Sequence, residues 1–216
     1  MNKTLVNEIK EIYISQNDII KERLTLFSNT FINGNDKEIF AELSFCLLTP
    51  QSKAKLCWAS IEKLVETQTL YTGSEYKVKS LLYGVRFPNN KSKYIVEARN
   101  FFTINNQIQI KDKILSFNSN FERRNWLVKN IKGMGYKEAG HFLRNIGFGD
   151  GLAILDRHIL KNMINLEIIS EIPKSLTPVK YMEIEKKFWS FAEEINVSGL
   201  FLDMILWYKE AGSFFK

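Results

Sequence analysis

A chain of 216 residues with 45% hydrophobic and 13% aromatic side chains has enough apolar material for a core, which excludes wholesale disorder. Eleven glycines and four prolines are few chain-breakers, so helix is the first expectation. The net charge of +6 fits a polyanionic partner, two cysteines exclude a four-thiolate iron–sulfur or zinc centre, and no segment approaches the ~18 apolar residues of a membrane span.

Taken in chain order, helical spacing covers residues 4–15, 18–32, 37–48 and 53–66, with breaks near Asn17, at Gly34–Asn35 and at 49–52. The opening MNKTLVNEIKEIY has no apolar leader, so a soluble intracellular protein is expected. Cys46, inside LSFCLLTP, reads as a small core residue. Helices follow at 75–83 and 91–103, separated by the turn-like RFPNN. The run 104–117 is the most strand-like and is expected as a loop and a short helix. Further helices are expected at 120–131, 136–146, 156–169, 178–195 and 199–211, with Thr177 and Pro178 as a cap and first-turn proline. No repeat or low-complexity linker divides the chain. The basic charge is concentrated: residues 74–99 and 121–145 each carry six Lys or Arg against two Glu, as a docking surface for a polyanion would.

Six of the eleven glycines lie between 133 and 151. The surrounding segment reads as helix, Gly-Met-Gly hairpin, helix, glycine-broken loop and helix. Ala139, Phe142, Leu143 and Ile146 form the core face of the second helix, and Ala139 and Gly140 let another helix approach closely. Gly133 and Gly135 permit a tight turn that leaves backbone N–H groups free at the helix start. Such groups, with the helix dipole, bind phosphate and can grip a DNA backbone without reading bases.

GMGYKEA followed by LDRH, with Lys137 and Asp156 separated by 19 positions, resembles the helix-hairpin-helix, Gly/Pro-loop, Asp superfamily of base-excision DNA glycosylases. Within it the chain most resembles the archaeal-type, second-class 8-oxoguanine DNA glycosylase/AP lyases. LSFCLLTPQSKA at 43–54, VRFPNNKSKYI at 85–95 and the ending LDMILWYKEAGSFFK extend the likeness. The four-cysteine loop of endonuclease III-like members is missing, and 216 residues leave no room for the extra N-terminal domain of eukaryotic-type enzymes.

The resemblance implies an all-α fold of two helical subdomains flanking a cleft. Residues 33–148 would form a helical barrel ending in the hairpin, and 1–32 with 149–216 the other half. It makes Lys137 the nucleophile that attacks C1′ as a neutral amine and forms a Schiff base, permitting β-elimination of the 3′ phosphate. It makes Asp156 the carboxylate that stabilises positive charge at C1′, beside its ordinary role as a helix cap. Lys216, through its main-chain carboxylate, would accept the N7–H that distinguishes 8-oxoguanine from guanine. Trp207, nine residues earlier, would stack on the base, although it also fits an apolar helix stripe with Phe201, Ile205 and Leu206. Phe87 is the candidate for the opposite stacking face. Gln51 is the candidate to fill the gap left by the flipped base, with Pro50 and Ser52 as rivals. Gly133, Gly135, His141, Arg144 and His158 are expected to contact DNA. No metal or organic cofactor is implied. The expected partner is double-stranded DNA containing oxidised guanine, bound by a monomer at the nucleoid of a prokaryotic cytoplasm, with no membrane involved. Two alternatives stand: the same chemistry on another oxidised base, and a non-catalytic helix-hairpin-helix DNA-binding module.

Overall fold

Side-chain caps set where six of the helices begin. In the computed structural model, which describes residues 2–215, the Asn2 side chain accepts the Leu5 N–H and opens α1 (Lys3–Ser15). The chain turns at Gln16 into α2 (Asn17–Asn33). Asn35 and Glu38 form a reciprocal capping box at the start of α3 (Asp36–Leu48). α4 (Ala54–Glu66), the single turn α5 (Thr69–Thr72) and α6 (Glu75–Ser80) follow. α7 (Pro88–Phe102) begins three residues before its expected start, because Pro88 sits at the first turn, where its missing N–H costs nothing.

The strand-like run opens as a hairpin. β1 (Thr103–Ile104) pairs antiparallel with β2 (Gln107–Ile108), across Asn105 and Asn106 at φ 50 and 62°. Two left-handed residues suit a two-residue hairpin, and asparagine tolerates that region. The short helix expected behind it is α8 (Lys111–Leu115). A second capping box, Ser119 with Glu122, opens α9 (Asn120–Asn130). α10 (Tyr136–Asn145), α11 (Arg157–Asn165), α12 (Pro178–Glu194) and α13 (Gly199–Ala211) complete the chain. α11 stops four residues short of its expected end, where Glu167 turns into the left-handed region at φ 63°.

The fold is all-α apart from the small hairpin. α3 is buried at every position from Ile39 to Leu48 and packs against α4, α7 and α10. A helix apolar on all sides belongs at a centre, and one apolar cluster forms around it from α3 to α10, with Phe31 and Leu152. A second cluster gathers Val6, Ile9, Ile20 and Phe27 with residues of 153–206. α13 is its hub, contacting α1, α11 and α12. Among the described residues no helix is long and apolar enough to cross a membrane.

Candidate active site

α9 ends at Ile131, and the chain reverses through Gly133 and Gly135 into α10. Gly133 has φ +85°, and a Cβ there would collide with the Tyr94 ring, so both backbone and space require glycine. Gly135 caps α10, its N–H donating to Glu138 Oε2 at 3.2 Å. The N–H groups of the first turn of α10 have no partner within the helix. Lys137 is the second residue of that turn. Its Nζ lies 3.4 Å from Thr49 Oγ1 and 3.9 Å from Glu138 Oε1, and its side chain is 22% exposed.

Asp156 caps α11. Its Oδ1 accepts the His158 and Ile159 N–H groups at 2.8 and 2.9 Å. Among the described residues no hydrogen bond reaches Oδ2. Lys137 and Asp156 line one cleft of about 1020 Å³. Its walls are the loop after α3, the inner side of α10, residues 154–159 and α13 with its tail. Two helix N-termini therefore open into the same space, each favouring negative charge there.

Other expected residues meet at this cleft. Trp207 lines it, and its ring stands edge-on to His158 at 5.8 Å. His158 Nε2 accepts from Arg157 Nε at 3.2 Å, which leaves Nδ1 to donate to Glu210 Oε2 at 3.1 Å. Burial alone would raise the Glu210 carboxyl, but hydrogen bonds from His158 and Asn162 hold it below its ordinary range. His158 is thus tied to α13 rather than free to act as a base. Gln51 lines the cleft mouth, exposed and left-handed at φ 54°. Of its two rivals, Ser52 accepts the Arg86 N–H and the Lys91 ammonium, and the Pro50 carbonyl accepts the same ammonium.

The other expected residues are placed as follows. His141 and Arg144, expected to project toward a DNA backbone, are each only 7% exposed. α10 is packed by α2, α3 and α9, which turns these side chains inward to the cleft floor. His141 stands edge-on to Phe45, and Arg144 Nη1 meets Asp203 Oδ2 at 3.3 Å and lies over Phe27. Phe87 does not line the cleft: it sits left-handed at the head of α7, half exposed, under the Arg86 guanidinium. Lys216 lies outside the described residues. Phe215, just before it, lines the cleft and packs edge-on against Phe45.

A family model for 8-oxoguanine DNA glycosylase matches residues 20–197. The chain is 50% identical to the 8-oxoguanine DNA glycosylase/AP lyase of Fusobacterium nucleatum over 210 residues, 97% of each chain. The chain belongs to the 8-oxoguanine DNA glycosylase family. Its fold matches the solved 8-oxoguanine DNA glycosylase of Thermotoga maritima at a TM-score of 0.88 and 30% identity, over 99% of both chains. It also matches the Methanocaldococcus jannaschii 8-oxoguanine glycosylase/lyase, solved in complex with a 15-mer DNA containing 8-oxoguanine. The TM-score there is 0.89 at 38% identity, over 99% of this chain and 100% of that one.

Within this family fold, Thr49 and Asp203 also line the cleft, and Lys91 stands behind the loop after α3. Burial pushes the Asp203 carboxyl up to about 6, against the pull of Arg144. Lys91 had a visible signal. It falls on the buried stripe of α7 with Ile95, Ala98 and Phe102, where an apolar residue is the rule. Among the described residues no three of His, Cys, Asp and Glu gather closely enough to hold a metal.

Proposed function

We propose that this chain excises 8-oxoguanine from DNA and cleaves the strand, with Lys137 as nucleophile and Asp156 as the stabilising carboxylate. One observation carries the assignment of residues: the lysine and the aspartate, each at a helix N-terminus, line one cleft. The named relatives across nearly the whole chain carry the reaction class.

In the reaction the Lys137 amine forms a bond to C1′ while the bond from C1′ to N9 breaks, and the base leaves with the electron pair and takes up a proton. Positive charge builds on the sugar ring, where the Asp156 carboxylate faces it. Ring opening gives the protonated imine. Loss of a C2′ proton then expels the 3′ phosphate, leaving an unsaturated sugar on the lysine that water releases. Thr49 Oγ1, closer to Nζ at 3.4 Å than Glu138 Oε1 at 3.9 Å, helps hold the amine at the cleft wall.

The same reading assigns base stacking to Trp207, with Phe87 closing from the turn at 85–90 once DNA is bound. It assigns the N7–H acceptor to the Lys216 carboxylate, and DNA phosphates to the hairpin at Gly133 and Gly135 and to His158. Gln51 fills the duplex gap, a role supported by its exposure and by the engagement of Pro50 and Ser52 elsewhere. Residues 33–148 act as one half of the clamp, and 1–32 with 149–216 as the other. The same reading has the enzyme act as a monomer. The bacterial and archaeal relatives support action on DNA in a prokaryotic cytoplasm.

Borohydride trapping tests the reading. A duplex with 8-oxoguanine should give a covalent protein–DNA adduct, and the undamaged duplex none. Lys137→Gln should lose the adduct while keeping duplex affinity. An adduct that survives Lys137→Gln would move the nucleophile elsewhere. Trapping on an oxidised pyrimidine instead would replace the substrate.

A further inference from the structure

Among the described residues Lys91 is the only buried lysine, at 4% exposure. Its ammonium donates to Leu48 O at 2.7 Å, to Pro50 O at 2.7 Å and to Ser52 Oγ at 2.9 Å. A lysine has three donors, and here all three end on one five-residue segment. Leu48 is the last residue of α3, so its carbonyl is an orphan of the helix terminus and suits a cation. Ser52 Oγ also accepts the Arg86 N–H at 3.0 Å, which braces the loop after α3 against the turn before α7.

The braced loop has two working ends. At one, Thr49 Oγ1 is 3.4 Å from the Lys137 Nζ. At the other, Gln51 stands exposed in a left-handed conformation that a residue with a side chain rarely adopts. Such a conformation persists only where its surroundings over-determine it. The residues on either side of Gln51, Pro50 and Ser52, are the ones Lys91 holds. Burial lowers the affinity of Lys91 for its proton, so an apolar residue would fill this space at less cost. What the lysine adds is three charge-assisted hydrogen bonds to a single loop.

We infer that Lys91 is a positioning residue for base extrusion: its ammonium fixes the 48–52 loop so that Gln51 is presented, already shaped, to the gap left by the flipped nucleotide. The inference rests on the reading of Gln51 as the gap-filling residue. A lysine that served only to satisfy the end of α3 would affect stability and leave extrusion alone.

The test is stopped-flow fluorescence with 2-aminopurine placed 3′ to 8-oxoguanine in a duplex, beside DNA affinity by anisotropy and thermal melting. Lys91→Met should bind the duplex within about threefold of the parent, because the phosphate grip is assigned to the hairpin at Gly133 and Gly135. It should extrude the base about tenfold more slowly, because extrusion depends on occupying the gap. Lys91→Met combined with Gln51→Ala should be no slower than Gln51→Ala alone, since both act on one step. A normal extrusion rate in Lys91→Met, beside a slow Gln51→Ala, would sink this inference and spare the role of Gln51. A normal rate in Gln51→Ala would sink both. Should Lys91→Met fail to melt cooperatively, Ser52→Ala takes its place. It removes one of the three acceptors and should slow extrusion in the same direction, and a normal rate there overturns the proposal.

Discussion

Asp156 uses Oδ1 for the N–H groups of His158 and Ile159 and keeps Oδ2 clear of hydrogen bonds from the described residues. The two oxygens separate two roles that one substitution can also separate. Asparagine caps a helix about as well as aspartate, so Asp156→Asn should melt close to the parent. It carries no charge, so single-turnover base release should fall by about 10²–10³-fold. Asp156→Ala loses the cap as well and should cost about 1 kcal/mol more in stability. Base release near the parent rate in Asp156→Asn would reduce the residue to its cap. At this scale the meeting of Lys137 and Asp156 at one cleft was legible, because a short motif and a spacing carry it. The burial of His141 and Arg144 was not legible because the sequence marks them polar, and only the packing of α2, α3 and α9 around α10 turns them inward. Lys91 was passed over for the converse reason. Its place on an apolar stripe was visible, but its three acceptors come from a loop some forty positions away.

Elements were legible where a cap or a breaker marked them. Asn35 with Glu38, Ser119 with Glu122, and Thr177 before Pro178 each fix a helix start by local chemistry, and those helices begin within two residues of expectation. α5 escaped because four residues contain too little period to see. The hairpin at 103–108 escaped because its strands are two residues each, although Asn-Asn is a turn signal. The Gly-Met-Gly hairpin depends on a contact the sequence does not show, the Tyr94 ring of α7 lying against Gly133. Gly133→Ala should therefore cost about 1–3 kcal/mol through strain at φ +85° and displacement of that ring. Displacing the hairpin also moves the first turn of α10, so affinity for an undamaged duplex should fall with stability. Chemical denaturation and anisotropy read the two effects. Gly135→Ala is the control: its φ of −93° is open to any residue, and its Cβ would meet only the flexible end of Glu138. Equal losses in the two variants would mean the left-handed turn is not what matters.

At the scale of the molecule, the two apolar clusters are joined by a buried ion pair. Arg124 on α9 meets Glu185 on α12 through Nη1 to Oε1 and through Nη2 to Oε2 at 2.8 Å. Phe121, Tyr136 and Tyr181 surround the guanidinium, each ring centroid within 5.5 Å. The same groups hold the chain that leads to Asp156. Glu185 Oε1 accepts the Ala153 N–H at 2.7 Å, and the Tyr181 hydroxyl donates to Ala153 O and accepts the Leu155 N–H. The pair thus ties the segment leading to Asp156 to α9, the helix that enters the hairpin before Lys137. Removing one partner of a buried pair leaves an uncompensated charge, so Glu185→Gln should cost about 3–5 kcal/mol by chemical denaturation. Replacing both partners with apolar residues of similar size, Arg124→Met with Glu185→Met, should recover much of that loss. Catalysis should not recover with it. The double variant still lacks the acceptor for Ala153 N–H, so base release should stay slow at a temperature where the protein is fully folded, while duplex affinity through the hairpin is kept. Stability and rate recovering together would assign the pair to folding alone. Stability recovering without rate would make it the strut that sets the distance between Lys137 and Asp156.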